Sequence, residues 1–309
     1  MNWTCTVIAR QASRMELHGI HVPLVTPFTA DGALALDALE RLAHDSLEAG
    51  AAGLVALGTT GEPGSLTDAE RDAVVEVCRR AADAHGAVLT VGAGHGGTAR
   101  TAGALTALDG RADAALVAVP AFVRPGAAGV LAHFRALAEH SPLPLVIYHI
   151  PYRTGQALGA AALLDLLALP GVAGIKYAPG GIDEETVALL AAEPRGVLAG
   201  DDLFLSPLLA LGADGGILAS AHLETARFVA LHRAWQDGDA ALARKLGAEL
   251  AALSRAAFAG PNPTALKALL HRAGRIPTPA VRLPLLAHDL GGGIGDGSGD
   301  DSGDDFGDA

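Results

Sequence analysis

Cysteine is nearly absent from this chain, which contains only Cys5 and Cys78. Two cysteines so far apart provide neither a disulfide framework nor a thiolate metal site, and we expect Cys78, which lies in a helical pattern, to be inert. The sequence also has no uninterrupted apolar run near the roughly 18 residues of a membrane span. Its first residues are interrupted by arginines and do not form a convincing signal peptide. We therefore expect a cytoplasmic protein with no membrane partner.

Positive charge is scarce as well. The 22 lysines and arginines face 34 aspartates and glutamates, which gives a net charge of −12. Nucleic acids and anionic membranes require a basic face, so the composition argues against both as partners. The twelve histidines form no HExxH motif and no close cluster beyond His18 and His21. We predict no metal and no cofactor, with small molecules as the partners.

Short apolar runs alternate about eight times with amphipathic stretches rich in alanine and leucine, and they are continuously hydrophobic. Such runs are typical of parallel strands covered on both faces. The predicted strands cover 20–25, 53–57, 88–92, 114–119, 145–150, 172–176, 196–199 and 215–219. Thr67 and Glu70 form a capping box that predicts the start of the second helix. Eight strand–helix units predict a (β/α)8 TIM barrel in the α/β class, a fold of about 250 residues.

The chain beyond the eighth strand is helical, with predicted helices over 222–236, 239–258 and 262–273. We therefore divide the sequence into a flexible leader (1–17), the barrel (18–221) and a C-terminal three-helix extension (222–289). The last segment, 290–309, is rich in glycine and aspartate and has too little apolar surface to offset the entropy of ordering. We expect this acidic tail to be disordered and to have no catalytic role.

Lys176 closes the apolar run Gly-Val-Ala-Gly-Ile-Lys at the predicted end of strand six. Burial disfavours the ammonium form, so desolvation should lower its pKa and leave a neutral amine, which is a nucleophile for carbonyl carbon. The alternative is a structural lysine whose stem covers apolar surface while its ammonium reaches water. The barrel favours the first interpretation, because its active site lies at the C-terminal ends of the strands.

Other strand ends carry polar groups suited to the same chemistry. Strand two ends in the segment GTTGE (58–62), strand five in Tyr148 followed by Arg153, and strand seven in GDD (200–202). An amine, a phenol, hydroxyls and a guanidinium are the groups that imine chemistry on a keto acid requires. The lysine forms the imine, the phenol moves protons, and the arginine binds a carboxylate.

Together with the segment YHIPYRTG (148–155) and with Pro261-Asn262-Pro263 and Lys267, these motifs resemble the dihydrodipicolinate synthase / N-acetylneuraminate lyase family. Their order and spacing match the family between His18 and Leu286. The resemblance implies a class I aldolase-like lyase on a (β/α)8 barrel, acting on pyruvate or another 2-keto acid through a lysine Schiff base. It also implies a homo-oligomer, either a dimer or a tetramer.

Catalytic roles follow from this resemblance position by position. It implies Lys176 as the Schiff-base lysine and Tyr148 as the proton donor and acceptor. Thr59 would link Tyr148 into a proton relay, and Thr60 would bind the pyruvate carboxylate.

The resemblance also implies three further substrate-binding residues. Ile217 matches the position that lines the pyruvate pocket through its backbone, and Gly200 lies in the matching GDD segment. Arg153 matches the arginine that binds the carboxylate of aspartate semialdehyde, which favours the dihydrodipicolinate synthase branch over the sialic-acid branch.

Three positions depart from the family pattern. Phe122 stands where the family has a tyrosine that crosses the dimer interface to complete the neighbour's relay. His149 replaces a common asparagine, and Tyr177 stands where Glu or Asp is frequent. Two alternatives therefore remain open: a lyase or dehydratase for another 2-keto acid, such as a 2-keto-3-deoxy sugar acid, and a non-catalytic paralogue that binds a keto acid.

Some motifs invite interpretations that we do not favour. The segment GAGHGG (92–97) matches GxGxxG, but no acidic residue ends the next strand, as a dinucleotide site would require. Asp201 and Asp202 are interpreted as a helix N-cap rather than a cation site. Asn262 lies between two prolines and is expected to shape a loop rather than take part in chemistry.

Overall fold

The computed structural model describes residues 15 and 17–290. In this part of the chain, eight parallel strands pair in chain order and close into a barrel. The strands are β1 Gly19–Pro23, β2 Gly53–Ala56, β3 Val88–Gly92, β4 Ala114–Ala118, β5 Leu145–His149, β6 Val172–Tyr177, β7 Val197–Ala199 and β8 Gly215–Ile217. Each overlaps the run predicted for it, and the closed ring confirms the predicted (β/α)8 barrel.

Helices surround the barrel and continue after it. They are α1 Leu36–Glu48, α2 Asp68–His85, α3 Thr98–Ala107, α4 Gly126–His140, α5 Pro151–Thr154, α6 Ala160–Leu167, α7 Glu184–Ala191, α8 Leu205–Ala210, α9 Ala221–Gln236, α10 Ala240–Ala257 and α11 Thr264–Arg272. Helix α9 packs against β1 and therefore also covers the barrel, while α10 packs on α9 and α11 on α10. Most of the predicted leader, and the tail from residue 291, lie outside the described residues.

Two hydrophobic clusters explain why the runs form strands. One fills the barrel interior with side chains from alternate strand positions, including Val55, Ala114, Leu116, Val146, Tyr148, Leu198 and Ile217. The other, much larger cluster joins the opposite faces of the strands to the apolar faces of the helices. Both faces of each strand are thus removed from water, which accounts for the continuous hydrophobicity of the sequence.

Helix α2 begins as the sequence predicts. The Thr67 hydroxyl accepts a hydrogen bond from the Glu70 amide, and the Glu70 carboxylate accepts one from the Thr67 amide, which completes the capping box. Cys78 in this helix is buried, and burial raises the pKa of its thiol to about 12, as expected for an inert cysteine. No helix among the described residues is long and apolar enough to cross a bilayer.

Candidate active site

A cavity of about 300 Å³ lies at the C-terminal ends of the strands. Six of the seven predicted site residues line it: Lys176, Tyr148, Thr59, Thr60, Arg153 and Gly200. The seventh, Ile217, does not line this cavity. It is buried in β8 and packs in the barrel-interior cluster that also contains Tyr148.

Lys176 points into the barrel and is only 7% exposed. Its Nζ lies 4.5 Å from the centroid of the Tyr148 ring. Gly200 leaves room for the lysine stem, since a Cβ at this position would lie 2.9 Å from Lys176 Cγ. Burial lowers the pKa of Lys176 to about 8, although the nearby carboxylates of Asp202 and Asp201 act in the opposite direction. The lysine is therefore poised as a nucleophile.

Strand register brings the amine and the phenol together. Tyr148 in β5 is directly opposite Lys176 in β6, and His149 is opposite Tyr177. Because successive side chains alternate between the two faces, the first pair points into the barrel and the second toward the helices. The His149 ring stacks on Tyr177 with centroids 5.8 Å apart, and the Tyr177 hydroxyl bonds to Thr186. Neither of these two departures from the family pattern lines the cavity.

Tyr148 is 8% exposed, and burial raises the pKa of its phenol above the ordinary value. Arg153 and the Thr59 side chain both favour its ionised form, but their effects on the pKa are smaller than that of burial. Tyr148 therefore stays protonated near neutral pH. It can donate a proton to a developing oxyanion and recover one afterwards.

Asn262 is a site residue that sequence reasoning missed. Its Nδ2 donates to Thr60 Oγ1 at 3.1 Å, and it lines the cavity. Because the Thr60 oxygen accepts this bond, its own hydroxyl proton is left to donate to a carboxylate. The expectation that Asn262 only shapes a loop was therefore incomplete.

The C-terminal extension supplies one wall of the cavity. Ser254 and Arg255 of α10 line it, together with Phe258. The Ser254 hydroxyl lies 2.9 Å from that of Ser220, which donates to Asp202 Oδ2 at 2.6 Å. A chain of buried hydrogen bonds thus links α10 to the strand-seven segment.

The N-cap interpretation of Asp201 and Asp202 was wrong, because neither carboxylate caps the short 3₁₀ turn Asp202–Phe204. Asp202 accepts hydrogen bonds from the Ser220 amide and hydroxyl, each at 2.6 Å, and burial raises its pKa to about 6. Asp201 accepts from the Gly180 amide at 2.7 Å and from the Tyr152 hydroxyl at 3.2 Å. Among the described residues, no group of three His, Cys, Asp or Glu side chains is placed to bind a metal ion.

A larger groove of about 1000 Å³ adjoins the cavity and shares Thr59, Tyr148, Arg153 and Asn262 with it. The glycine run begins at Gly92, the last residue of β3, and its first four residues line this groove. Gly92 serves close backbone packing, since a Cβ there would lie 2.2 Å from the Leu57 carbonyl oxygen. That contact gives the run a structural reason that requires no dinucleotide.

Comparison with known proteins places this geometry in a family. A model of the dihydrodipicolinate synthetase family matches residues 16–290. The chain belongs to this family. It is 39% identical over 269 residues to the 4-hydroxy-tetrahydrodipicolinate synthase of Prochlorococcus marinus (strain MIT 9313), covering 86% of this chain and 88% of that one. It is 37% identical over 277 residues to the enzyme of the same name from Moorella thermoacetica, covering 88% and 93%.

Solved structures of the dihydrodipicolinate synthetase family agree with the fold. The dihydrodipicolinate synthase of Thermotoga maritima superposes with a TM-score of 0.85 at 29% identity, covering 89% of this chain and 95% of that one. The chloride-inhibited Acinetobacter baumannii synthase, complexed with pyruvate, superposes with a TM-score of 0.84 at 32% identity, covering 89% and 94%. These matches confirm the predicted family and the predicted enzyme class, a lyase of the class I aldolase type.

Proposed function

We propose that this protein condenses pyruvate with aspartate semialdehyde through a Schiff base on Lys176. The observation that carries the proposal is the position of the Lys176 amine, which is buried beside the Tyr148 ring with its pKa lowered to about 8. At pH 7 such a lysine is neutral in about a tenth of the molecules, far more than an exposed lysine. A nucleophilic amine and a phenol in one small cavity are what imine formation requires.

The chemistry can be followed with the residues that line the cavity. The Lys176 nitrogen attacks the keto carbon of pyruvate, and Tyr148 donates a proton to the oxygen that leaves as water. Thr60 donates its hydroxyl proton to the pyruvate carboxylate. The imine then loses a methyl proton to form an enamine, which attacks the aldehyde carbon. Arg153, at the opening, binds the carboxylate of the semialdehyde.

The proposal extends to the oligomeric state of the protein. Phe122 is 98% exposed and Val123 is 64% exposed, on the loop that follows β4. Adjacent exposed apolar side chains support an interface between copies of the chain, and we propose a homo-oligomer. The cytoplasmic location stays a prediction.

The geometry weakens the support for the alternatives. A different 2-keto acid substrate was suggested by Phe122 and Tyr177, but Tyr177 does not line the cavity. The non-catalytic paralogue rested on Phe122 alone, while Lys176, Tyr148 and Thr59 all line one cavity.

Borohydride reduction in the presence of pyruvate tests the imine step. Peptide mass spectrometry should find one adduct, on Lys176. The exposed Lys245 provides an internal control for non-specific labelling, and Lys176→Ala should abolish the adduct. An unmodified Lys176 would contradict the proposal. A coupled assay with aspartate semialdehyde should then show turnover, whereas cleavage of a 2-keto-3-deoxy sugar acid without such turnover would favour the alternative substrate.

A further inference from the structure

Tyr148 can move protons only if another group exchanges them with water. Because burial raises the pKa of its phenol, Tyr148 remains protonated and can accept a proton only while it passes its own proton on. The Thr59 hydroxyl has the same limitation, since it is also a neutral donor and acceptor. A complete route therefore needs a group that can hold a proton and reach solvent.

Some polar groups of the cavity are buried away from solvent, among them Asp202 and Thr60. Asp202 is buried and accepts two hydrogen bonds from Ser220, and Thr60 accepts one from Asn262. Phe122 has no hydroxyl to offer. Tyr152 and Asp201 both line the cavity and are joined by the hydrogen bond from the Tyr152 hydroxyl to Asp201 Oδ1 at 3.2 Å. Tyr152 is 60% exposed, so the pair reaches solvent.

We propose that the Tyr152–Asp201 pair forms the outer end of the proton route between Tyr148 and bulk water. This inference rests on the proposed function. When the pyruvate iminium loses a methyl proton, the C–H electron pair becomes the C=C bond of the enamine, and the nitrogen takes the π pair of the C=N bond. The methyl proton passes to the Tyr148 oxygen. The Tyr148 hydroxyl proton passes through a water molecule to Tyr152, and the Tyr152 proton passes to Asp201, which releases it to solvent.

The local geometry holds this pair in place. Tyr152 lies in the one-turn helix α5, four residues after Tyr148. Its ring packs on Gly180, where a Cβ would lie 3.4 Å from Tyr152 Cδ1, and the Arg153 guanidinium carbon lies 5.9 Å from the ring centroid. Asp201 joins the segments after β5, β6 and β7 through Tyr152 and the Gly180 amide. Burial raises the pKa of Asp201, which makes its carboxylate a better proton acceptor.

Two substitutions separate proton transfer from a structural role. Tyr152→Phe keeps the ring and its packing but removes the hydroxyl. Asp201→Asn can still accept the Gly180 amide bond and donate to the Tyr152 oxygen, but it cannot take up a proton. Tyr177→Phe is the matched control, because it removes a buried hydroxyl on the opposite face of β6.

The measurement is the exchange of pyruvate methyl protons for deuterium in heavy water, followed by NMR without any aldehyde. At a pH above the pKa of Lys176, Tyr152→Phe and Asp201→Asn should each slow the exchange by about tenfold or more, as expected for loss of a proton-transfer group, while Tyr177→Phe leaves it unchanged. Borohydride trapping of pyruvate at equilibrium should still label Lys176 in every variant. A decrease in exchange rate smaller than this in either variant overturns this inference alone. Failure of borohydride to trap pyruvate on Lys176 of the wild type overturns the proposed function.

Discussion

The Lys267 ammonium lies 2.7 Å from Glu62 Oε1, and the two side chains are 0% and 2% exposed. Lys267 also donates to the Thr26 carbonyl at 2.9 Å, and Glu62 Oε2 accepts a hydrogen bond from the Arg282 amide. This buried pair ties α11 to the loop that follows β2 and contains Thr59 and Thr60. The C-terminal extension therefore holds the threonine side of the cavity in position.

Breaking this pair should destabilise the protein strongly. Lys267→Met leaves the Glu62 carboxylate buried without its ammonium partner, and we expect the free energy of unfolding to fall by about 3–5 kcal/mol. Urea denaturation measures this loss. The surface pair of Arg227 and Glu249, 41% and 43% exposed, provides the control, because Arg227→Met should cost less than about 1 kcal/mol. Equal losses in the two variants would contradict the conclusion that the buried pair of Lys267 and Glu62 stabilises the fold.

Lys176 should lower stability at neutral pH. Its folded pKa of about 8 lies below the ordinary 10.5, so the unfolded chain binds this proton more tightly and the folded state is penalised by up to about 3 kcal/mol at pH 7. Lys176→Met should therefore raise the free energy of unfolding. The gain should shrink as pH rises from 8 through 10.5, because the unfolded lysine then also loses its proton. Lys245→Met, at an exposed position, should show no such trend; a pH-independent gain would argue against the lowered pKa.

Gly200→Ala should impair imine formation without unfolding the protein. The added Cβ would lie 2.9 Å from Lys176 Cγ and 2.8 Å from Ala178 Cβ, so the lysine stem must move. We expect pyruvate trapping by borohydride to slow by about tenfold or more, as small displacements of a reacting group cost large factors in rate. The control is Gly181→Ala, where a Cβ meets no atom within 4 Å. An unchanged trapping rate in Gly200→Ala would contradict the conclusion that Lys176 needs the room left by Gly200.

Asp202 should set the pH at which Lys176 becomes reactive. Burial has the largest effect on the pKa of Lys176 and lowers it. The charges of Asp202 and Asp201 raise this pKa, and the charge of Arg153 lowers it. Asp202→Asn removes one of the two raising charges, so the increase in initial trapping rate with pH should move to lower pH. Asp183→Asn changes a carboxylate that does not act on Lys176 and should leave the profile in place. A shift to higher pH in Asp202→Asn would be incompatible with this electrostatic account.

Hydrophobic runs located the strand ends and so predicted the barrel, and the family resemblance selected the six residues that line the cavity. Alternation along a strand also explains the departures that proved remote: since Tyr148 and Lys176 point inward, His149 and Tyr177 must point outward. Strand alternation could not predict the position of Tyr152. It follows a proline in a single helical turn, where no strand periodicity applies, and that turn directs its hydroxyl toward Asp201.

The contact of Asn262 with Thr60 could not be predicted from the sequence for a different reason. Its bond to Thr60 spans 202 positions of the chain, and no local pattern reveals which strand end a distant loop will contact. Asp201 and Asp202 were misassigned because an aspartate before a helix is an ordinary cap in sequence. Their partners, Gly180, Tyr152 and Ser220, come from other segments.

One wall of the cavity is formed by Ser254, Arg255, Phe258 and Asn262. This wall matters for any attempt to change the substrate preference of the enzyme. The enclosure around the incoming aldehyde is shared between the eight-stranded ring and the helices that follow it. Laboratory evolution libraries confined to the ring would leave one side of that enclosure fixed, whereas randomising the cavity-lining positions Arg255 and Phe258 would reshape that side.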